Sequence, residues 1–420
     1  MIELLALSLW LLFFANLWIS RDSLYPGSVF TFVWALSLTA LVLAQGRFFD
    51  ISGQTMLVYL FGAMAFTFGS TWALTGSDLK PRPFVPYTDE QNERILTVLK
   101  TLFYICLIGL PFYLLSVWKE LEFGDPLFFQ RLRELDLKED EGRTLLDYVL
   151  GNFVIISLFV ACSYAYVHKE LRNVPFYYYG SILMFFFYGS AKGTKGNILT
   201  LLFIMLFIDF RKRGHVEFKK LGIIFGSGLT IFLLGLYYVN FAYMQLDWNL
   251  DTLAYLGDAL MSYWIGGIVA FDNIVQHPDL YLSHHSVNRF FMETANKFGA
   301  GFVLPSFHPE FSQVSTTNDS NVYTIYFSYY KDYGMAGVLF FMTLLGYLLT
   351  KVYAVASREN PVQVIIYATL MSGLVLSTFA EFFFLRLTMF YKMAIYLALL
   401  YWLVPRIRLR REPADTEVAA

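Results

Sequence analysis

Apolar residues in this chain come in long uninterrupted runs, and polar residues gather in short clusters between them. Runs of membrane-spanning length, roughly 17–25 residues each, fall at about 2–20, 28–45, 54–75, 95–118, 148–168, 175–190, 197–210, 221–241, 334–356, 361–380 and 387–404. Continuous runs of this length predict helices, and the period-two alternation of a membrane barrel is absent. The runs at 175–190 and 197–210 are short and are separated by Ala191-Lys-Gly-Thr-Lys-Gly196. They could form one interrupted re-entrant element, but two tightly linked helices fits the remaining pattern better. The expectation is an all-α polytopic domain over 1–420 with about eleven transmembrane helices, a large extracytoplasmic loop at 242–333 and a second at 119–147.

Composition narrows this to an integral membrane protein. Only 15% of residues are charged, against roughly 25% in a soluble domain, and the deficit extends from Leu4 to Val404. The net charge of −2 identifies no partner, and no nucleic acid is expected. Cys106 and Cys162 lie inside apolar runs and read as small packers, not as a disulfide. Met1-Ile2-Glu3 lacks the basic region of a signal peptide, so the first run is expected to be a retained helix.

Lysine and arginine set the expected orientation. Arg211, Lys212, Arg213, Lys219 and Lys220 form the densest basic loop, and Arg406, Arg408, Arg410 and Arg411 mark the C-terminal tail. With Lys80, Arg82, Arg94, Lys169 and Arg172 they share one side, which should be cytoplasmic. The N-terminus and the 242–333 interval would then face the periplasm of a bacterial inner membrane. Three groups of cations break the rule on that outer side: Arg131, Arg133, Lys138 and Arg143; Lys192 and Lys195; and Arg289, Lys297 and Lys331, to which Arg386 is added. Within the long interval, 253–275 is apolar but contains Asp258 and Asp272, each costly at mid-membrane. It is expected to lie as an amphipathic helix at the interface, with Tyr255, Tyr263 and Trp264 at headgroup depth.

Those outer cations are the first candidates for chemistry. In Gly189-Ser-Ala-Lys-Gly-Thr-Lys-Gly196 the glycines let backbone N–H groups converge and Lys192 and Lys195 add charge, which suits an anion. The alternative is a turn whose lysines meet lipid headgroups. Arg131 or Arg133 could grip a diphosphate in bidentate fashion, or could pair with the acids around them. His284, His285, His308, Glu310, Asp319 and Asp332 are the groups that could take a proton from a sugar hydroxyl. Asn321-Val-Tyr-Thr-Ile-Tyr-Phe-Ser-Tyr-Tyr-Lys-Asp-Tyr-Gly334 mixes hydrogen-bonding groups with flat aromatic surface, as sugar binding requires; an interfacial aromatic belt is the plainer account. No Asp-x-Asp and no His/Cys ligand spacing occurs, so no metal and no cofactor is expected.

Asn321-x-Tyr-Thr324, Tyr330-x-Asp-Tyr-Gly334 with Gly337, Gly193-Thr-Lys-Gly196 and Tyr263-x-x-Gly-Gly-x-x-Ala270 together resemble the Wzy-type oligosaccharide repeat-unit polymerases, the O-antigen and related surface-polysaccharide polymerases. The spacing of spans and the late large loop extend the resemblance over nearly the whole chain. It implies a GT-C-like membrane glycosyltransferase, working without metal. Such an enzyme transfers the growing glycan from undecaprenyl diphosphate to the non-reducing end of an incoming undecaprenyl-diphosphate-linked unit on the periplasmic face. Lipid-linked oligosaccharides would be its substrates, within the membrane lipid, and a flippase and a chain-length regulator its partners. The implied roles are diphosphate binding by Arg131, Arg133, Lys192, Lys195 and Arg289. Asn321, Tyr323, Thr324 and Tyr330 would contact sugar, and His284, His285 or Asp332 would act as base. Many family members have arginine at the position of Lys195, which keeps the charge but not the fork. An O-antigen ligase-type transferase and a polysaccharide flippase or transporter are the alternatives.

Overall fold

The computed structural model describes residues 1–75, 88–118, 145–167, 175–190, 196–214, 250–278, 287–304, 311–316, 318–356 and 361–384, with scattered positions at 219–230 and 387–396. It is mostly helical. Helix α1 (Ile2–Ser20) ends on Arg21 in the left-handed region, and α2 (Pro26–Leu43) begins with Pro26, where a missing N–H costs nothing. Between them Asp22 Oδ1 accepts the Leu24 N–H at 2.8 Å, tightening the turn. Helix α3 (Gly53–Leu74) starts on Ser52, whose hydroxyl accepts the Thr55 N–H. Then follow α4 (Asp89–Trp118), α5 (Leu145–Val167), α6 (Phe176–Ser190) and α7 (Gly196–Arg213).

Among the described residues, five helices are long and apolar enough to cross a membrane, including Tyr326–Ala356; Val149–Cys162 and Gln363–Thr378 are shorter apolar helices. Their outer faces are those of helices dissolved in lipid. In α1, Leu4, Leu7, Leu11, Phe14 and Trp18 form an exposed stripe at alternating spacings of three and four, and in α3 Leu57, Phe61, Met64, Phe68 and Trp72 form another at spacings of three or four. Water would make such stripes aggregation sites; a bilayer makes them the favourable surface. The expected spans at 221–241 and 387–404 lie largely outside the described residues, so the full count stays with the sequence.

Two opposite ends of the bundle can be told apart. At one, Arg211 of α7 pairs with Asp22 at 3.5 Å and lies over the rings of Tyr353 and Tyr367 at 4.8 and 5.8 Å. The Tyr353 hydroxyl also donates to Asp22, and that of Tyr367 to the Leu24 carbonyl. At the other end the α2–α3 turn meets the start of α1, where Met1, Glu3, Phe48, Asp50 and Ile51 line a cavity of about 240 Å³. We call these the Arg211 face and the Met1 face.

Helix α8 (Leu250–Gln276) lies across the Met1 face. Its Asp258 meets Arg47 at 3.0 Å, and its Asp272 meets Ser52, both in the same α2–α3 turn. Fourteen residues of helix extend about 21 Å, so both ends of that length stay at one level and the helix does not cross. The helix expected over 253–275 is therefore present, but it is enclosed by protein along much of its length. Ile265, Ile268, Val269, Ala270, Phe271 and Ile274 are fully enclosed, and the Trp264 indole donates to Ser37 inside the bundle at 2.9 Å.

After α9 (Arg289–Lys297), strands β1 (Ser312–Gln313) and β2 (Asp319–Ser320) form a small antiparallel hairpin, Ser312 opposite Ser320, resting on α8. From Ser320 the chain drops into the bundle. There the Ile325 N–H donates to the Ser377 carbonyl at 2.8 Å, and the Tyr326 ring meets those of Trp34 and Tyr59 at 4.9 and 5.5 Å. It then turns back as the first limb of α10 (Tyr326–Ala356), which breaks at Gly334 with φ 61° and ψ −153°. In an unbroken helix, residues twelve apart are about 18 Å apart. The rings of Tyr329 and Phe341 stack at 5.1 Å, so the two limbs fold back on each other. The 321–334 stretch is thus a re-entrant loop-and-helix ahead of the span expected at 334–356.

The second limb packs on α3 through glycine. A Cβ on Gly69 would lie 2.0 Å from the Thr343 carbonyl oxygen, and one on Gly346 would lie 2.2 Å from that of Phe66. Small residues at such crossings allow backbone contact in lipid. Helix α11 (Pro361–Val375) gives way to a 3-10 turn (Leu376–Thr378), short of the span end expected at 380. Just beyond it the buried Glu381 carboxylate accepts the N–H groups of Phe383 and Phe384 at 2.8 and 3.0 Å.

Candidate functional site

The re-entrant limb 326–333 brings the motif to the Met1 face beneath α8. Its floor is aromatic: Tyr323 stacks on Phe327 at 4.7 Å, and Phe271 of α8 meets Tyr330 edge-on at 5.7 Å. Helix α8 can come this close because of Gly267. A Cβ on Gly267 would lie 2.9 Å from the Thr378 carbonyl oxygen and 3.2 Å from that of Val322. Of the two motif glycines, Gly267 therefore has a packing reason, while a Cβ on Gly266 would meet only ordinary contacts.

The tip of the limb is polar. Gln54, at the start of α3, donates to the Tyr330 hydroxyl at 3.0 Å. Lys331 donates to the Pro278 carbonyl, and Asp332 accepts the Val287 N–H at 2.8 Å. Asn288 donates to the Tyr333 hydroxyl. Adjacent side chains, Lys331 and Asp332, thus hold both flanks of the segment that carries His284 and His285. Those two histidines lie outside the described residues.

The residues singled out in the sequence divide as follows. Asn321 is half-buried, while Tyr323 and Thr324 are enclosed; they shape the floor and are not surface contacts in this conformation. Tyr330 and Asp332 are partly exposed at the tip. Arg289 is 5% exposed, and its Nε pairs with Glu293 at 2.8 Å one turn along α9. Arg131, Arg133, Lys192 and Lys195 lie outside the described residues. The helices flanking them are described. Helix α7 runs from Gly196 to the Arg211 face, so its first residue points to the Met1 end. Near the end of α6, Tyr188 packs on Tyr113 of α4 at 4.4 Å. The α4–α5 and α6–α7 connections therefore both leave from the Met1 end.

Two acids contribute more than the sequence reading assigned them. Glu381 is 2% exposed and accepts the Tyr329 hydroxyl at 2.8 Å, which fixes the re-entrant limb from its far side. A lone acid in Thr378-Phe-Ala-Glu-Phe-Phe-Phe384 is the signal that could have found it. Asp272, 3% exposed, accepts the Ser52 N–H at 2.9 Å and the Ser52 and Thr55 hydroxyls at 2.6 Å each, with Gln276 donating to its second oxygen. It closes the N-terminus of α3, where a carboxylate is favoured by the free N–H groups. The cavity on this face contains none of the candidate residues.

No family model matches this chain, and no curated protein or solved structure matches it.

Proposed function

We propose that the protein is a membrane glycosyltransferase that polymerises lipid-linked oligosaccharide repeat units at its Met1 face, read as periplasmic. The observation that carries this reading is the re-entrant 321–334 stretch, whose Lys331 and Asp332 tether both flanks of the His284/His285 segment. On this reading the Arg211 face is cytoplasmic, in line with its basic residues. The donor glycan leaves undecaprenyl diphosphate, which gains negative charge as the glycosidic bond breaks. Cations carried by the α4–α5 and α6–α7 connections, Arg131, Arg133, Lys192 and Lys195, would stabilise that charge without a metal. His284, His285 or Asp332 would take the proton from the acceptor hydroxyl. Tyr330 and Asn321 would position the sugar against the aromatic floor, and Glu381 would act as a positioning residue through Tyr329.

The test is replacement of Lys195 or Arg131 by Ala in cells making the polymer. Each variant should insert normally yet accumulate single repeat units, with Lys212→Ala on the Arg211 face as the unaffected control. Wild-type chain lengths in both would remove these cations from the mechanism. Incubating the purified protein with lipid-linked repeat units and no other acceptor separates polymerase from ligase, since only a polymerase lengthens them.

A further inference from the structure

Residues 296–304 form a closed tip at the end of α9. The Asn296 side chain donates to the Phe302 carbonyl at 2.7 Å and accepts the Phe302 N–H at 2.6 Å. Gly299 and Gly301 supply the left-handed φ values of 89° and 72° that the reversal needs. This built turn holds apolar side chains outward: Phe298 is 87% exposed and Val303 89%, with Phe302 at 51% beside them. Across 294–304 the only charged residue is Lys297.

We propose that this tip is an interfacial membrane anchor, seated at the headgroup–acyl boundary of the leaflet on the Met1 face. Its level on the molecule fits. Asn288, just before α9, donates to Tyr333, and Leu339 and Phe340, within two helical turns along α10, are outward-facing apolar residues. Helix α9 therefore starts where α10 enters the apolar layer, and its nine residues reach no more than about 14 Å from that level to the tip. The composition fits as well: aromatic and aliphatic side chains enter the acyl boundary while a lysine meets phosphate. A second copy of the chain is a poorer occupant, because a two-fold contact would set Lys297 against its own copy. The proposal does not depend on the glycan chemistry.

A nitroxide at Phe298→Cys tests it, since the native Cys106 and Cys162 are buried. The full-length protein is placed in vesicles of phosphatidylethanolamine and phosphatidylglycerol. Collisions of the label with oxygen, which concentrates in the bilayer, are compared with those of a water-soluble nickel chelate. Phe340→Cys serves as the lipid-facing reference and Thr316→Cys, in the exposed hairpin turn, as the aqueous one. The Phe298 label should show an oxygen-to-nickel ratio several-fold above the Thr316 label and close to that of Phe340. A ratio equal to that of Thr316 overturns the proposal, and so does exclusion of both reagents, which would mean that protein covers the tip. Val303→Cys gives the same reading if the Phe298 variant fails to fold.

Discussion

A carboxylate enclosed by apolar helices persists only where donors meet it, and the two aspartates of α8 show how much this depends on place. Asp272 is buried and takes hydrogen bonds from Ser52, Thr55 and Gln276. Asp258 meets Arg47 at the surface, with half of its own side chain exposed. Hydrogen bonds to a buried charge contribute about 1.5–3 kcal/mol, and removing the acceptor strands several donors at once. Asp272→Ala should therefore cost about 2–4 kcal/mol, whereas Asp258→Ala should cost at most about 1 kcal/mol. Thermal unfolding of both variants in detergent gives the order. Equal midpoints would mean that the α3 cap is not held by Asp272. A sequence read alone registers the two acids as equal objections to a span; it does not say which one has found a helix terminus.

At the level of elements, the decisive residue is Gly334. Its φ of 61° with ψ of −153° lies in a region that residues with a Cβ avoid. It lets the Tyr326 limb fold back along its successor, where the Tyr329 carbonyl passes the bare face of Gly337. Gly334→Ala should cost about 1–3 kcal/mol and loosen the tip that bears Lys331 and Asp332. Gly151 in α5 is the control, because a Cβ there meets nothing within 4 Å. Gly151→Ala should be neutral or stabilising by up to about 1 kcal/mol. Matching melting curves for the two alanine variants would show that the reversal at Gly334 is not required. The apolar run from 334 was legible as a span. That the polar–aromatic stretch before it dips into the bundle was not, since the reversal depends on Ser377, Trp34 and Glu381, far away in sequence.

For the whole molecule, the arrangement makes a prediction about sidedness. Arg213 closes α7 at the Arg211 face, and Asp319 is exposed in the hairpin on the Met1 face. Cysteines introduced at these two positions should react with an impermeant maleimide from opposite sides of a sealed vesicle, one only after permeabilisation. Reaction of both from the same side would contradict the two-ended bundle and the orientation proposed from its basic loops.

The sequence by itself determined the solvent: long apolar runs with little charge can only be satisfied by helices in a bilayer, and composition carries that information locally. It also marked 321–334 as unlike the other inter-span stretches. Tertiary structure alone decided that this stretch is re-entrant, that α8 lies across the Met1 face with Asp272 capping α3, and that Glu381 holds the re-entrant limb through Tyr329. Each of these rests on a hydrogen bond or glycine contact between residues distant in the chain, and hydrophobic periodicity along one segment cannot encode where another segment's free N–H groups will lie.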